Sequence, residues 1–183
     1  MATETTLPLA EVGEERPLAH LVNYITDRHH VFARNALQRA SVLADEVCAL
    51  HGDSHPEVRE LRDLLHELRD DLLPHMAMEE TVLFPYIIAM EEAAAKRIRA
   101  AVPLFGTARN PVRALLHDHN CAGELLRLMR EVSNDFATPQ DVSPLCHEWY
   151  GVLAGLMDDL QFHLHLEANV LFPSVLGIEE KVL

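Results

Sequence analysis

Two stretches of this 183-residue chain carry the same phrase: residues 75–85 read HMAMEETVLFP and residues 163–173 read HLHLEANVLFP. Aligned, they give H-x-x-x-E-x-x-V-L-F-P twice. On a helix, residues four apart lie one above the other, so each His–Glu pair occupies one face. Leu61, Leu65, Leu68 and Leu72 step by three and four into His75 and Glu79, and Trp149, Leu153, Leu156 and Leu160 lead the same way into His163 and Glu167. Both pairs therefore fall on the core-facing stripe of an amphipathic helix. An ionised Glu in a core is costly unless it is paired or bound to a metal. Two such pairs in matched positions predict one shared site.

The rest of the chain supplies the frame. From Pro17 to Gly52 there is no internal proline or glycine, and Leu18, Val22, Ile25, Phe32, Ala36, Ala40, Leu43 and Val47 recur at helical spacing. A turn at residues 51–56, with cap chemistry before Pro56, leads to a second helix. Pro74 kinks or restarts that helix, and Pro85 ends it, with residues 90–101 as an extension or a short extra helix. After a linker from Pro103 to Pro111, the residues Val112, Leu115, His119, Ala122, Leu126, Met129 and Val132 form a third stripe. Following the turn at 138–144, a fourth helix runs to Phe172, and the last residues add no further element. Residues 1–16 read as an N-terminal tail, and 17–183 as one domain. With no strand pattern, the expected fold is all-α: an antiparallel up-down four-helix bundle.

Each half offers one His in mid-helix and then a His and a Glu four apart. The sets are His30, His75, Glu79 and His119, His163, Glu167, which predicts an internal pseudo-twofold with these residues on its axis. His29 competes with His30, because adjacent helical residues point about 100° apart and only one should face the site. His165 reads as a surface residue or one that backs a ligand, Glu80 as the analogous spare carboxylate, and the Leu and Phe of VLFP as core. Four imidazoles and two carboxylates suit two first-row metal ions, each taking two His, with both Glu bridging. Such a set favours a di-iron site, although manganese or a mixed pair satisfies the same ligand types. The H-E-x-x-H phrase of zinc hydrolases is absent.

Net charge excludes some partners. With 15 basic and 29 acidic residues the chain carries −14, which argues against nucleic acid or an anionic membrane surface. No run of 18 apolar residues predicts a membrane span, and the acidic start lacks the pattern of a signal peptide, so the cytoplasm is expected. Cys48, Cys121 and Cys146 form no C-x-x-C pair and read as small buried hydrophobes.

With these residues in view, the chain resembles the hemerythrin-like di-iron family, and within it the iron–sulfur cluster repair branch. The matching stretches are DRHHVFARNALQR (27–39), HGDSHPEV (51–58), LLPHMAMEETVLFPYI (72–87), HDHNCAGELL (117–126), CHEWYGVLAGL (146–156) and HLHLEANVLFP. Carried over position by position, the family's metal ligands fall on His30, His75, Glu79, His119, His163 and Glu167, which selects His30 over His29. The resemblance implies two iron ions, bridged by the two Glu and by an oxo or hydroxo group. It implies a role in repairing iron–sulfur clusters damaged by nitric oxide or peroxide, with possible reduction of nitric oxide or peroxide at the iron pair. The alternative is binding or sensing of oxygen or nitric oxide without turnover. The expected partners are such small molecules and damaged iron–sulfur proteins. Longer family members carry an N-terminal cysteine-containing domain, whereas here the bundle is expected to begin almost at once.

Overall fold

A computed structural model describes residues 17–182; the expected tail at 1–16 lies outside them. The described residues form four long helices and no strand. We label them α1 (residues 18–51), α2 (56–96), α3 (Arg109–Val132) and α4 (144–182). The connections at 52–55, 97–108 and 133–143 reverse the chain between them, giving the expected up-down bundle. Helix α1 packs against α2 and α4, and α2 against α3 and α4, while α3 and α4 touch only lightly.

Three of the four helices contain a π turn. In α1 it spans Ile25–His30, in α2 Glu79–Leu83 and in α4 Glu167–Leu171. These turns correct two of the sequence expectations. Neither phrase stops at its proline: α2 continues through Phe84–Lys96 and α4 through Phe172–Val182. A proline inside an α-helix lacks the N–H bond and crowds the carbonyl four residues back. Here the N–H groups of Phe84 and Phe172 bond five residues back, to the carbonyls of Glu79 and Glu167. The α-helix then restarts, and Pro85 sits in the first turn of the new segment, where its missing N–H is tolerated. The second correction is in α1. The extra residue of its π turn rotates the stripe, so that Ala33 is buried and Phe32 is 37% exposed. Pro74 leaves an unbroken helix around it. Ser54 donates to the His51 carbonyl instead of capping α2.

The repeat reaches further than its prolines. Six residues after each proline stands a Glu: Glu91 in α2 and Glu179 in α4. The Glu91 carboxylate accepts from the backbone N–H groups of Leu18 and Ala19, at the start of α1. The buried Glu179 carboxylate accepts from the Ala108 N–H at 2.7 Å, at the start of α3, and from the hydroxyls of Thr107 and Tyr86. Helix N-termini carry unsatisfied donors and partial positive charge, so a carboxylate is the natural partner. Each half thus uses the end of its second helix to hold the start of its first, and the bundle is a pseudo-twofold pair.

Two apolar clusters fill the interior. One runs from Ala33 to Met76 and from Ala122 to Leu160; the other joins Leu18–Ile25, Leu83–Met90, Ala108–Leu115 and Leu171–Val182. The polar residues of the repeated phrases form a layer between them.

Candidate metal centre

The six sequence-selected residues meet in that layer. His30, Glu79, His163 and Glu167 form one group, and His75, Glu79, His119 and Glu167 a second. In each, the candidate ligand atoms lie within 4.8 Å of one another, and both Glu belong to both groups. Each group takes one His from each half of the chain, so neither half builds a position alone. The His30 and His163 Nε2 atoms stand 3.2 Å apart, and those of His75 and His119 3.3 Å apart. Glu167 reaches His163 at 2.8 Å and His119 at 3.1 Å, while Glu79 lies 3.4 Å from His30 and 3.5 Å from His75.

The hydrogen bonding tests whether a metal fits. Both carboxylate oxygens of Glu79 and Oε2 of Glu167 are buried and accept no hydrogen bond. Buried carboxylates without donors are strongly disfavoured. In the metal-free site burial, followed by the charge of Glu167, pushes the Glu79 carboxyl well above its ordinary value. Glu167 is also penalised by burial, but His163, His119 and His30 outweigh it and hold it low. Two abutting carboxylates then cannot both ionise without added positive charge. Cations between paired imidazoles and shared carboxylates supply that charge, and the N/O donor set suits iron, manganese or zinc.

Second neighbours orient two of the four rings. His30 Nδ1 donates to Glu80 at 2.7 Å, and Glu80 accepts two bonds from Arg34, at 2.8 and 3.0 Å. His75 Nδ1 lies 3.4 Å from Asp118. Contacts of this kind fix the tautomer and raise ligand basicity. Phe84 stacks on His30 and Phe172 on His119, both at 5.7 Å between ring centres, so the VLFP phenylalanines are core residues that also wall the site. His165 is exposed and bonds Asn169.

Several residues of this layer escaped sequence reading. Glu80, the spare carboxylate of the first phrase, backs the candidate ligand His30. His29 is buried beside His30 but belongs to neither group; its Nδ1 bonds Asp159 at 3.0 Å, and its ring stacks on His163. Asp118 and Arg34 had no signal beyond their positions next to, and one turn after, candidate ligands. Cys48 and Cys146 are buried as expected, but Cys121 is exposed, because it follows His119 by two residues and so faces away from the core. Among the described residues no helix is long and apolar enough to cross a membrane.

Comparison with known proteins gives this geometry a context. The model of the family described as the Hemerythrin HHE cation binding domain matches residues 20–175. The iron-sulfur cluster repair protein DnrN of Neisseria gonorrhoeae is 30% identical over 171 residues, covering 90% of this chain and 96% of that protein. The iron-sulfur cluster repair protein YtfE of Cronobacter sakazakii is 29% identical over 180 residues, covering 98% of this chain and 76% of that protein. The iron-sulfur cluster repair protein ScdA of Staphylococcus haemolyticus is 30% identical over 155 residues, covering 83% of this chain. The chain spans 64% of the ScdA relative's length, a little under two thirds.

Proposed function

Because the chain belongs to the hemerythrin HHE cation-binding family, we propose that it holds two iron ions and works in the repair of iron–sulfur clusters damaged by nitric oxide or peroxide. One observation carries this reading: two four-residue His/Glu groups share both of their carboxylates. His30 and His163 would hold one ion, His75 and His119 the other, and Glu79 and Glu167 would bridge them. The likeness to three relatives named as iron-sulfur cluster repair proteins supports the repair role. The proposed setting is the cytoplasm, and the proposed partners are damaged iron–sulfur proteins.

Bound iron would supply redox chemistry and open coordination positions. The chain's own residues do the rest. The imidazoles and carboxylates would hold the metals. Glu80 and Asp118 fix the rings of His30 and His75. The two apolar clusters close the layer above and below.

Metal content and repair are tested together. The purified protein is expected to carry two irons per chain and to speed recovery of a nitric-oxide-treated iron–sulfur hydratase. The paired substitution Glu79→Ala with Glu167→Ala should abolish both. Two irons retained in that variant would sink the bridging assignment. Two irons with reversible nitric oxide binding, but no recovery of the hydratase, would turn the reading to carriage or sensing.

A further inference from the structure

The pseudo-twofold gives His30 a counterpart in His119, and the two rings stand alike. Each is stacked by the phenylalanine of its own half, Phe84 or Phe172, at 5.7 Å. Their outer edges meet different groups. The His30 Nδ1 donates to the Glu80 carboxylate at 2.7 Å, and Arg34 donates twice to the same carboxylate. Glu80 follows the first shared Glu by one residue, and Arg34 follows His30 by four; the matching positions in the second half are Ala168 and Gly123. Neither carries a polar side chain. The Nδ1 of His119 is buried with no hydrogen-bond partner, on a residue only 8% exposed.

Gly123 and Ala168 line a groove of about 440 Å³ between α3 and α4 that reaches His119. Nothing lies within 4 Å of where a Gly123 side chain would begin, so the groove is open where Arg34 stands in the first half. The His119 Nε2 faces the centre, 3.1 Å from Glu167. By the correspondence with His30 and Glu80, its Nδ1 edge faces Ala168 and the groove. A ring that holds a metal through Nε2 carries its proton on Nδ1 and needs an acceptor for it. A buried donor without one is costly. Positive charge stands close by: Arg127 and Arg130, one and two turns beyond Gly123, also line the groove. Arg127 donates to Glu124 and Glu131, and Arg130 to Asp135 at 3.0 Å, with Asp158 at 3.8 Å; all four carboxylates are exposed. Exposed ion pairs of this kind are worth little, so both guanidinium groups can turn to another carboxylate. The Arg130 Nε is buried and has no partner.

We propose that this groove binds a short aliphatic dicarboxylate from solution. One of its carboxylates takes the place at His119 that Glu80 holds at His30. Its carbon chain lies along Leu126 and Leu164, which also line the groove, and its second carboxylate meets Arg127 and Arg130. The inference rests on the two-metal reading above, because a metal at Nε2 is what obliges Nδ1 to donate. In the metal-free chain Nε2 can donate to Glu167 instead, which leaves Nδ1 an acceptor that repels a carboxylate. An acceptor on Nδ1 raises the basicity of a ligating ring, so the bound acid would tune the metal position between His75 and His119 from outside the chain.

The test is calorimetric titration of succinate into the full chain, once loaded with iron anaerobically and once metal-free. The loaded chain is expected to bind one succinate, and the metal-free chain to bind it about tenfold more weakly or less, the scale of outer-shell effects on metal sites. Ala168→Glu restores the carboxylate of the first half, so that variant should keep both irons and lose succinate binding. Arg127→Gln with Arg130→Gln should weaken binding by about tenfold or more, the scale of a charge-assisted hydrogen bond. No binding heat with millimolar succinate, equal affinity with and without iron, or undiminished binding by iron-loaded Ala168→Glu would each overturn the proposal and leave the two-iron reading standing. Loading of fewer than two irons by the wild-type chain would overturn that reading instead. The two wild-type titrations decide the matter even if Ala168→Glu folds poorly.

Discussion

Glu79 is held in the core for a reason other than stability, and replacing it by leucine should therefore strengthen the metal-free protein. Its side chain is fully buried, and neither carboxylate oxygen accepts a hydrogen bond. A buried acceptor left without a partner costs about 1–3 kcal/mol. Ionisation adds about 1.4 kcal/mol for each pKa unit by which the folded site resists it. Burial, and then the charge of Glu167, raise the Glu79 carboxyl well above its ordinary 4.5. The folded chain thus keeps a proton that the unfolded chain gives up, and the stability linked to that proton is full below pH 4.5 and falls as pH rises. Leucine carries no such proton and fits among its leucine neighbours. Glu79→Leu should raise the unfolding free energy of the metal-free protein by about 1–3 kcal/mol at pH 8, with a smaller gain at pH 5. Urea denaturation followed by far-ultraviolet circular dichroism measures it. Metal should reverse the order, since a ligand at 100 times its dissociation constant stabilises the wild type by about 2.7 kcal/mol, and the variant forfeits that gain. A metal-free variant less stable than wild type by more than about 1 kcal/mol, or a gain that ignores pH, would refute the reasoning.

Two further outcomes are expected. Glu179→Ala strips a buried carboxylate from three donors and should destabilise by about 3–5 kcal/mol. Glu91→Ala, half-buried and serving two backbone donors, should cost about 1–2 kcal/mol, and equal losses in urea denaturation would disprove the difference in burial as its cause. The second concerns His30: burial lowers its pKa, but Glu167, Glu79 and Glu80 outweigh burial and raise it to about 9. The folded protein then binds a proton more tightly than the unfolded chain, so this stability is present below pH 6.5 and lost on rising to about 9. The melting temperature of the metal-free wild type should fall across that window, and His30→Gln should flatten the fall; a wild-type profile as flat as the variant's would count against the pairing.

The fold and the candidate centre were legible to different depths. Helix periodicity carries through the stripes Leu61–Leu72 and Trp149–Leu160, because each residue there repeats the spacing of a regular α-helix packed on one side. The His–Glu pairs stand out for the opposite reason: they continue an apolar stripe with groups that water would otherwise claim. What the spacing misplaced lies at the π turns. Phe32 sits on the periodic stripe of α1 only if the helix is regular throughout, and Pro85 and Pro173 are stops only if the preceding turn has α-helical bonds. Neither condition holds, and no residue type announces the change. Glu91 and Glu179 were readable in principle, as a Glu six residues past each proline, but a carboxylate near a helix end has no signature until the helix start that it caps is in view.

The π turn of α1 also sets the two His/Glu groups apart. Asp118 immediately precedes His119 on α3, which is regular, and the Asp118 side chain is 49% exposed. His29 immediately precedes His30 inside the π turn and is 3% exposed. On a regular helix the residue before an inward-facing one points about 100° away, as Asp118 does. The inserted residue in α1 turns His29 inward as well, against Asp159 and the face of His163. A π turn is one residue added to a helix, and such turns gather at functional sites. Those at Glu79 and Glu167 occur in both halves and set the shared carboxylates. The one at Ile25–His30 has no counterpart in α3. It breaks the pseudo-twofold where His29 closes over the His30–His163 group and leaves Asp118 exposed beside the other.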